Sequence, residues 1–174
     1  VGSEMCIRDR SDRITRIKNP IQNLLSGNNK VVILSHLGRP KGKRNDELSL
    51  NQIISSLENV LQKKIIFLSN CIGDEIEKKI NSLSQDSIVL LENCRFHEGE
   101  EQNDKIFASE LSKLADVYIN DAFACSHRAH ASIEAITNFI PSYCGELLHE
   151  EILNLNDVVN LSLIHISEPT RLRR

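Results

Sequence analysis

Three short segments of this chain set arginine beside histidine directly after an apolar run. They are Ser35-His36-Leu37-Gly38-Arg39-Pro40-Lys41-Gly42 after residues 31–34, Glu92-Asn93-Cys94-Arg95-Phe96-His97 after residues 88–91, and Asn120-Asp121-Ala122-Phe123 with Ser126-His127-Arg128-Ala129-His130 after residues 117–119. In a parallel α/β sheet the loops that follow the strands open on one edge, and ligands bind in the crevice there. A guanidinium fork matches the oxygens of phosphate and carboxylate groups. Three arginines delivered to one edge therefore suit a small, multiply charged anion.

The same segments carry a family resemblance. Taken with Gly99-Glu100-Glu101, Asn103-Asp104 and Ala131-Ser132, they resemble phosphoglycerate kinase over roughly residues 12–159. Three independent motifs in the family's order and spacing make the resemblance specific. It departs at Ala124-Cys125-Ser126, where the family usually has a glycine followed by small residues.

The resemblance implies the N-terminal half of a two-domain kinase, a three-layer α/β/α domain with a mostly parallel, Rossmann-like sheet. In that family the basic loops of this half hold 3-phosphoglycerate or 1,3-bisphosphoglycerate, the other half holds MgATP or MgADP, and a hinge closes them. The implied reaction is reversible phosphoryl transfer between 1,3-bisphosphoglycerate with ADP and 3-phosphoglycerate with ATP, a step of glycolysis. It implies substrate-binding roles for His36, Leu37, Gly38, Arg39, Arg95 and Arg128. His130 reads instead as a capping or core histidine, and His97 is open between the two readings.

The family's catalytic arginine opens the helix before the first basic loop, where this chain reads Asp12-Arg13-Ile14-Thr15-Arg16-Ile17. Spacing counted back from His36 lands on Asp12. A one-residue gap aligns Arg13, which is taken as both catalytic and substrate-binding, whereas Arg16 needs a larger shift. Transfer to a carboxylate that is already ionised at neutral pH asks for cations and alignment rather than a general base. An arginine meeting the moving phosphoryl group acts chiefly in the transition state.

Positioning these loops takes a regular scaffold. Residues 31–34, 65–68, 88–91 and 117–119 read as strands. Ser49 with Gln52 forms a capping-box pattern ahead of Ile53, Ile54, Leu57, Val60 and Leu61 at helical spacing. Residues 74–83 read as a charged helix with Ile76, Ile80 and Leu83 on one face. Asp104 caps a helix whose inner face is Ile106, Phe107, Leu111 and Leu114, and residues 146–159 form another. Continuous apolar strands alternating with helices imply a parallel sheet covered on both faces.

Composition narrows the function class. The chain has 174 residues, 40% hydrophobic and 26% charged, which suits one soluble α/β domain. A net charge of −3 offers no basic field to nucleic acid, and no Trp with only two Tyr leaves little for base stacking. No apolar run nears the ~18 residues that span a bilayer. Five scattered cysteines without a CxxC pair argue against a disulfide framework or a zinc site, and for a reducing cytoplasm. Cys94 and Cys125 read as small buried filler. Glu98, Glu100, Glu101 and Asp104 read as a solvated loop and helix cap, so no metal site is expected here. The expected partners are the phosphoglycerates, with ATP or ADP in a full-length enzyme, and the expected state is a monomer.

Residues 1–10 and 161–174 are expected to be non-native. Val1-Gly2-Ser3-Glu4-Met5-Cys6-Ile7-Arg8-Asp9-Arg10 and Leu163-Ile164-His165-Ile166-Ser167-Glu168-Pro169-Thr170-Arg171 resemble translated sequencing-adapter text. The substrate domain is then residues 11–160. The family's opening strand would lie before Ser11, and its nucleotide-binding lysines and second domain after Val159. The chain reads as a kinase fragment inactive by itself, with Mg2+ and ATP/ADP bound by the missing domain. The alternative is a free-standing anion-binding module that has lost kinase activity. A dinucleotide oxidoreductase is disfavoured because no GxGxxG or GxxxxGK[ST] occurs.

Overall fold

The structure is a computed structural model that describes residues 14–166, with side chains through Val159. Its helices are α1 (Lys18–Ser26), α2 (Ile54–Leu61), α3 (Asp74–Ser82), α4 (Glu98–Glu101), α5 (Lys105–Ser112) and α6 (Glu146–Ile166). Its strands are β1 (Val31–Ile33), β2 (Ile65–Leu68), β3 (Ile88–Leu91), β4 (Tyr118–Asn120) and β5 (Ser142–Cys144).

The run Ile88-Val89-Leu90-Leu91 has no polar position to mark an outward face, and no residue in it is more than 1% exposed. It is accordingly the middle strand, with β1 and β2 as parallel neighbours on either side. Side chains of a strand alternate between faces. Ile88 and Leu90 join Val31 and Ile65 against Ile21 and Leu25 of α1 and Leu57 and Leu61 of α2. Val89 and Leu91 join Leu68 against Ile80 of α3 and Phe107, Ala108 and Leu111 of α5. Two apolar layers thus sandwich one sheet, the three-layer α/β/α arrangement expected from the sequence. Each such buried aliphatic side chain contributes about 1.5–3 kcal/mol.

Local chemistry sets the ends of these elements. The Asp104 carboxylate accepts from Phe107 N at 2.7 Å and caps α5 as anticipated. Ser49 does not build the expected capping box. Its hydroxyl accepts from Asn51 N at 3.2 Å while donating to Glu92, and Gln52 reaches the Ser49 carbonyl rather than its N–H. The first turn is consequently a 3-10 helix, Leu50–Ile53, and α2 begins after it.

Hydrogen bonding divides the described strands into two parallel sheets, the second made of β4 and β5 with Tyr118 beside Ser142 and Asn120 beside Cys144. β4 begins one residue later than its apolar run suggests, because Val117 is 47% exposed. β5 carries no apolar signal, since all three of its residues are exposed. Ile106, expected on the inner face of α5, is 76% exposed and points away from the core.

Candidate anion site at the carboxyl edge of the sheet

The first two arginine loops are laced together. Asn93 Nδ2 donates to the carbonyls of Leu37 at 2.8 Å and Leu48 at 2.9 Å, Cys94 N donates to Ser35 O at 3.2 Å, and Gly42 N donates to Arg95 O at 3.3 Å. Gly38 has φ +64, a conformation that favours glycine, and turns its carbonyl to receive Arg95 Nη1 at 2.8 Å.

Glu92 holds the root of this junction and is 2% exposed. One carboxylate oxygen accepts from Leu50 N at 2.9 Å and Asn93 N at 2.8 Å; the other accepts from Ser49 Oγ at 2.7 Å, with Arg44 Nη2 at 3.6 Å. A buried carboxylate is tolerated only when so many donors replace water. Glu92 opens the second motif without a role assigned from the sequence, and Arg44 lies outside the motifs. The usable signal was a carboxylate placed immediately after a fully apolar strand.

Arg95 is 3% exposed, and its Nε and Nη2 have no hydrogen-bond partner. The nearest carboxylate, Glu101 Oε1, lies 3.7 Å from Nε. Arg39 is exposed, and no carboxylate pairs with it among the described residues. His97 Nε2 donates to Asn70 Oδ1 at 2.8 Å, and its ring lies tilted by 31° against Phe107, with ring centroids 5.1 Å apart. Burial holds its imidazole below the ordinary histidine range.

The third loop meets the first through Cys125, whose Sγ lies 3.8 Å from His36 Nε2. Arg128 is half-buried, and its Nε donates to His127 Nε2 at 3.3 Å. Contacts join the three loops: Arg95 with Gly38, Gly42 with Arg95, and Cys125 with His36. His130 is half-buried, with Nδ1 at 3.7 Å from the buried Glu100. Glu100 itself corrects the reading of the acidic stretch as solvated, being 1% exposed. Arg13 lies outside the described residues. Arg16 pairs with Glu151 of α6 at 2.9 Å, with Glu150 at 3.9 Å.

Cys71 and Cys94 are buried free thiols. Burial, with a lesser push from Glu100, raises Cys71 to about 12 and raises Cys94 as well. Cys125 is half-buried rather than the fully buried filler expected. A protein-family model described as phosphoglycerate kinase matches residues 3–163.

The chain belongs to the phosphoglycerate kinase family. A phosphoglycerate kinase of Wolbachia sp. subsp. Drosophila simulans (strain wRi) is 47% identical over 154 residues, covering 88% of this chain. The chain spans 38% of that relative's length. Another, from Allorhizobium ampelinum, is 44% identical over 140 residues and is covered to 35%. Among solved structures, the phosphoglycerate kinase of Coxiella burnetii superposes with a TM-score of 0.71 at 34% identity, over 81% of this chain and 35% of that one. The enzyme of Pyrococcus horikoshii gives 0.73 at 28% identity, with 81% and 36% covered.

Phosphoglycerate kinases as a family use ATP or ADP with Mg2+. Among the described residues no group of three or more His, Cys, Asp or Glu side chains is placed to hold a metal ion. No helix among them is long and apolar enough to cross a membrane.

Proposed function

We propose that this chain is the phosphoglycerate-holding part of a phosphoglycerate kinase, its arginine loops receiving 3-phosphoglycerate or the acyl phosphate 1,3-bisphosphoglycerate. The observation that carries the reading is Arg95. A buried guanidinium with two nitrogens that make no hydrogen bond, one of them 3.7 Å from Glu101, is costly, and an incoming anion would supply the missing acceptors. Arg39, exposed and without a carboxylate partner, is the second clamp, and Arg128 the third. His36, Leu37 and Gly38 shape the floor between them, Gly38 by allowing close backbone approach.

The chemistry then needs little from this part beyond charge and alignment. The substrate's carboxylate is the nucleophile or, in reverse, the leaving group, and the arginines offset its charge while holding it in line. Arg13 meets the transferring phosphoryl group, a role for which Arg16 is less available because Glu151 engages it. MgATP or MgADP is bound by a second domain, so this chain by itself does not turn over nucleotide. One copy carries all three loops, and the reading needs no partner subunit. The free thiols of Cys125 and Cys144 suit a reducing cytoplasm.

Titration with 3-phosphoglycerate, followed by calorimetry and by the arginine Nε–H resonances, tests this. The expected result is weak binding that fades as salt rises, shifts the Arg95 resonance and disappears in Arg95→Ala. Tight ATP binding, or 3-phosphoglycerate shifts that leave Arg39, Arg95 and Arg128 untouched, would overturn the proposal.

A further inference from the structure

Glu100 has no part in the chemistry above, yet it is among the most thoroughly buried side chains, at 1% exposure. Among the described residues its side-chain partners all come from the segment that follows Arg128. Ser132 Oγ donates to Oε1 at 2.5 Å and Ser132 N to Oε2 at 3.0 Å. Ala131 N donates to the Glu100 carbonyl at 2.9 Å, and His130 Nδ1 lies 3.7 Å from Oε1. Asn103, just beyond α4, continues the seam by accepting from Ala135 N at 3.1 Å.

The Arg128 backbone donates to Cys125 O at 3.0 Å and accepts from His130 N at 3.1 Å. Among the described residues its side chain makes one hydrogen bond, to the exposed His127. On the far side Arg95 stands at the start of the same short segment that ends in α4. That segment therefore bears one arginine and grips the loop of another.

We propose that Glu100 is a positioning residue that fixes Arg128 relative to Arg95, and so sets the span of anion the site accepts. The inference rests on the phosphoglycerate reading of those arginines. A carboxylate is required because Ser132 offers both an N–H and an O–H, and a carboxylate is acceptor-only. An amide would turn an NH2 group toward one of those donors. An aspartate is one methylene too short to meet both.

The test uses the whole 174-residue chain, with Glu100→Gln and the milder Ser132→Ala. By 1H–15N NMR both variants should keep the amide protection of β3 while the Arg128 backbone and Nε–H become mobile on the nanosecond scale. Affinity for 3-phosphoglycerate should fall about tenfold. In an Arg128→Ala background, Ser132→Ala should change that affinity by less than about twofold, because neighbours acting through one group are not additive. Unchanged Arg128 mobility in both variants overturns the proposal, as does full additivity in the double variant. Should 3-phosphoglycerate move no arginine resonance in the unmodified chain, the functional reading fails, and the mobility measurement still decides the role of Glu100.

Discussion

Arg95 donates through Nη1 to the carbonyl oxygen of Gly38 at 2.8 Å while its other two guanidinium nitrogens find no acceptor. One contact thus ties the second arginine loop to the first and leaves a buried guanidinium whose nearest counter-charge is Glu101, 3.7 Å from Nε.

Replacing Arg95 by methionine separates stability from binding. An apolar side chain of similar length removes a buried charge that lacks two of its acceptors, and gives up the single hydrogen bond to Gly38 O, worth about 0.5–1.5 kcal/mol. Arg95→Met should therefore stay within about 1.5 kcal/mol of the unmodified chain while losing all response to 3-phosphoglycerate. Destabilisation beyond about 3 kcal/mol in urea titration would instead make Arg95 a structural clamp.

Gly38→Ala should fail in the opposite way. At φ +64 a side chain strains the backbone by about 1–3 kcal/mol, and its Cβ would stand 2.7 Å from Leu48 Cδ2. The Leu48 tip can swing aside, so the chain folds. The strained turn misplaces the carbonyl that holds Arg95, and 3-phosphoglycerate affinity should drop with only modest loss of stability. Equal affinity in calorimetry would show that the turn does not matter to the site.

The cysteines should sort by burial. Iodoacetamide at pH 8 followed by peptide mass mapping should label Cys144 and, more slowly, Cys125, leaving Cys71 and Cys94 untouched until the chain unfolds. The Cys71 thiol stands at about 12 in the folded state against 9.0 when free. A raised value of this kind means stability fully present below pH 9.0 and lost as pH climbs from there towards 12. Early labelling of Cys71 or Cys94 would contradict the packing around β3.

His97 titrates with the opposite sign. Burial depresses its imidazole below 6.5, so its contribution to stability is present above that pH and lost as pH falls below it. Stability measured by urea unfolding should decline from pH 6.5 towards 5, and His97→Gln should flatten that slope. An unchanged slope would assign the decline to other groups.

Much of this could be read from the sequence for a plain physical reason. The three strands of the larger sheet are unbroken runs of Val, Ile, Leu and Phe67, and the full burial of β3 on both faces is what such a run requires. β5 could not be found this way, because Ser142-Tyr143-Cys144 is held by pairing with β4 rather than by burial. The arginines announced themselves by following strands. Their supports did not. Glu100 sits among Glu98 and Glu101, and nothing in an acidic run says which member turns inward to meet Ser132. Likewise the Ser49 hydroxyl matched a capping pattern, and only the fold shows that Glu92 claims it.

The central place of β3 has a consequence for how the chain comes together during synthesis. β1 and β2 emerge first and, among the described residues, do not pair with one another, since Val31 and Ile65 both pair with Ile88 between them. Both must wait with open edges until β3 leaves the ribosome, a non-local step of the kind that slows folding and exposes sticky edges to other chains. The loop bearing Arg95 follows β3 directly, so the step that completes the larger sheet also closes the Gly38 contact. Capacity to hold an anion should thus appear together with that sheet, and hydrogen exchange pulsed during refolding should see β1 and β2 protected no earlier than β3.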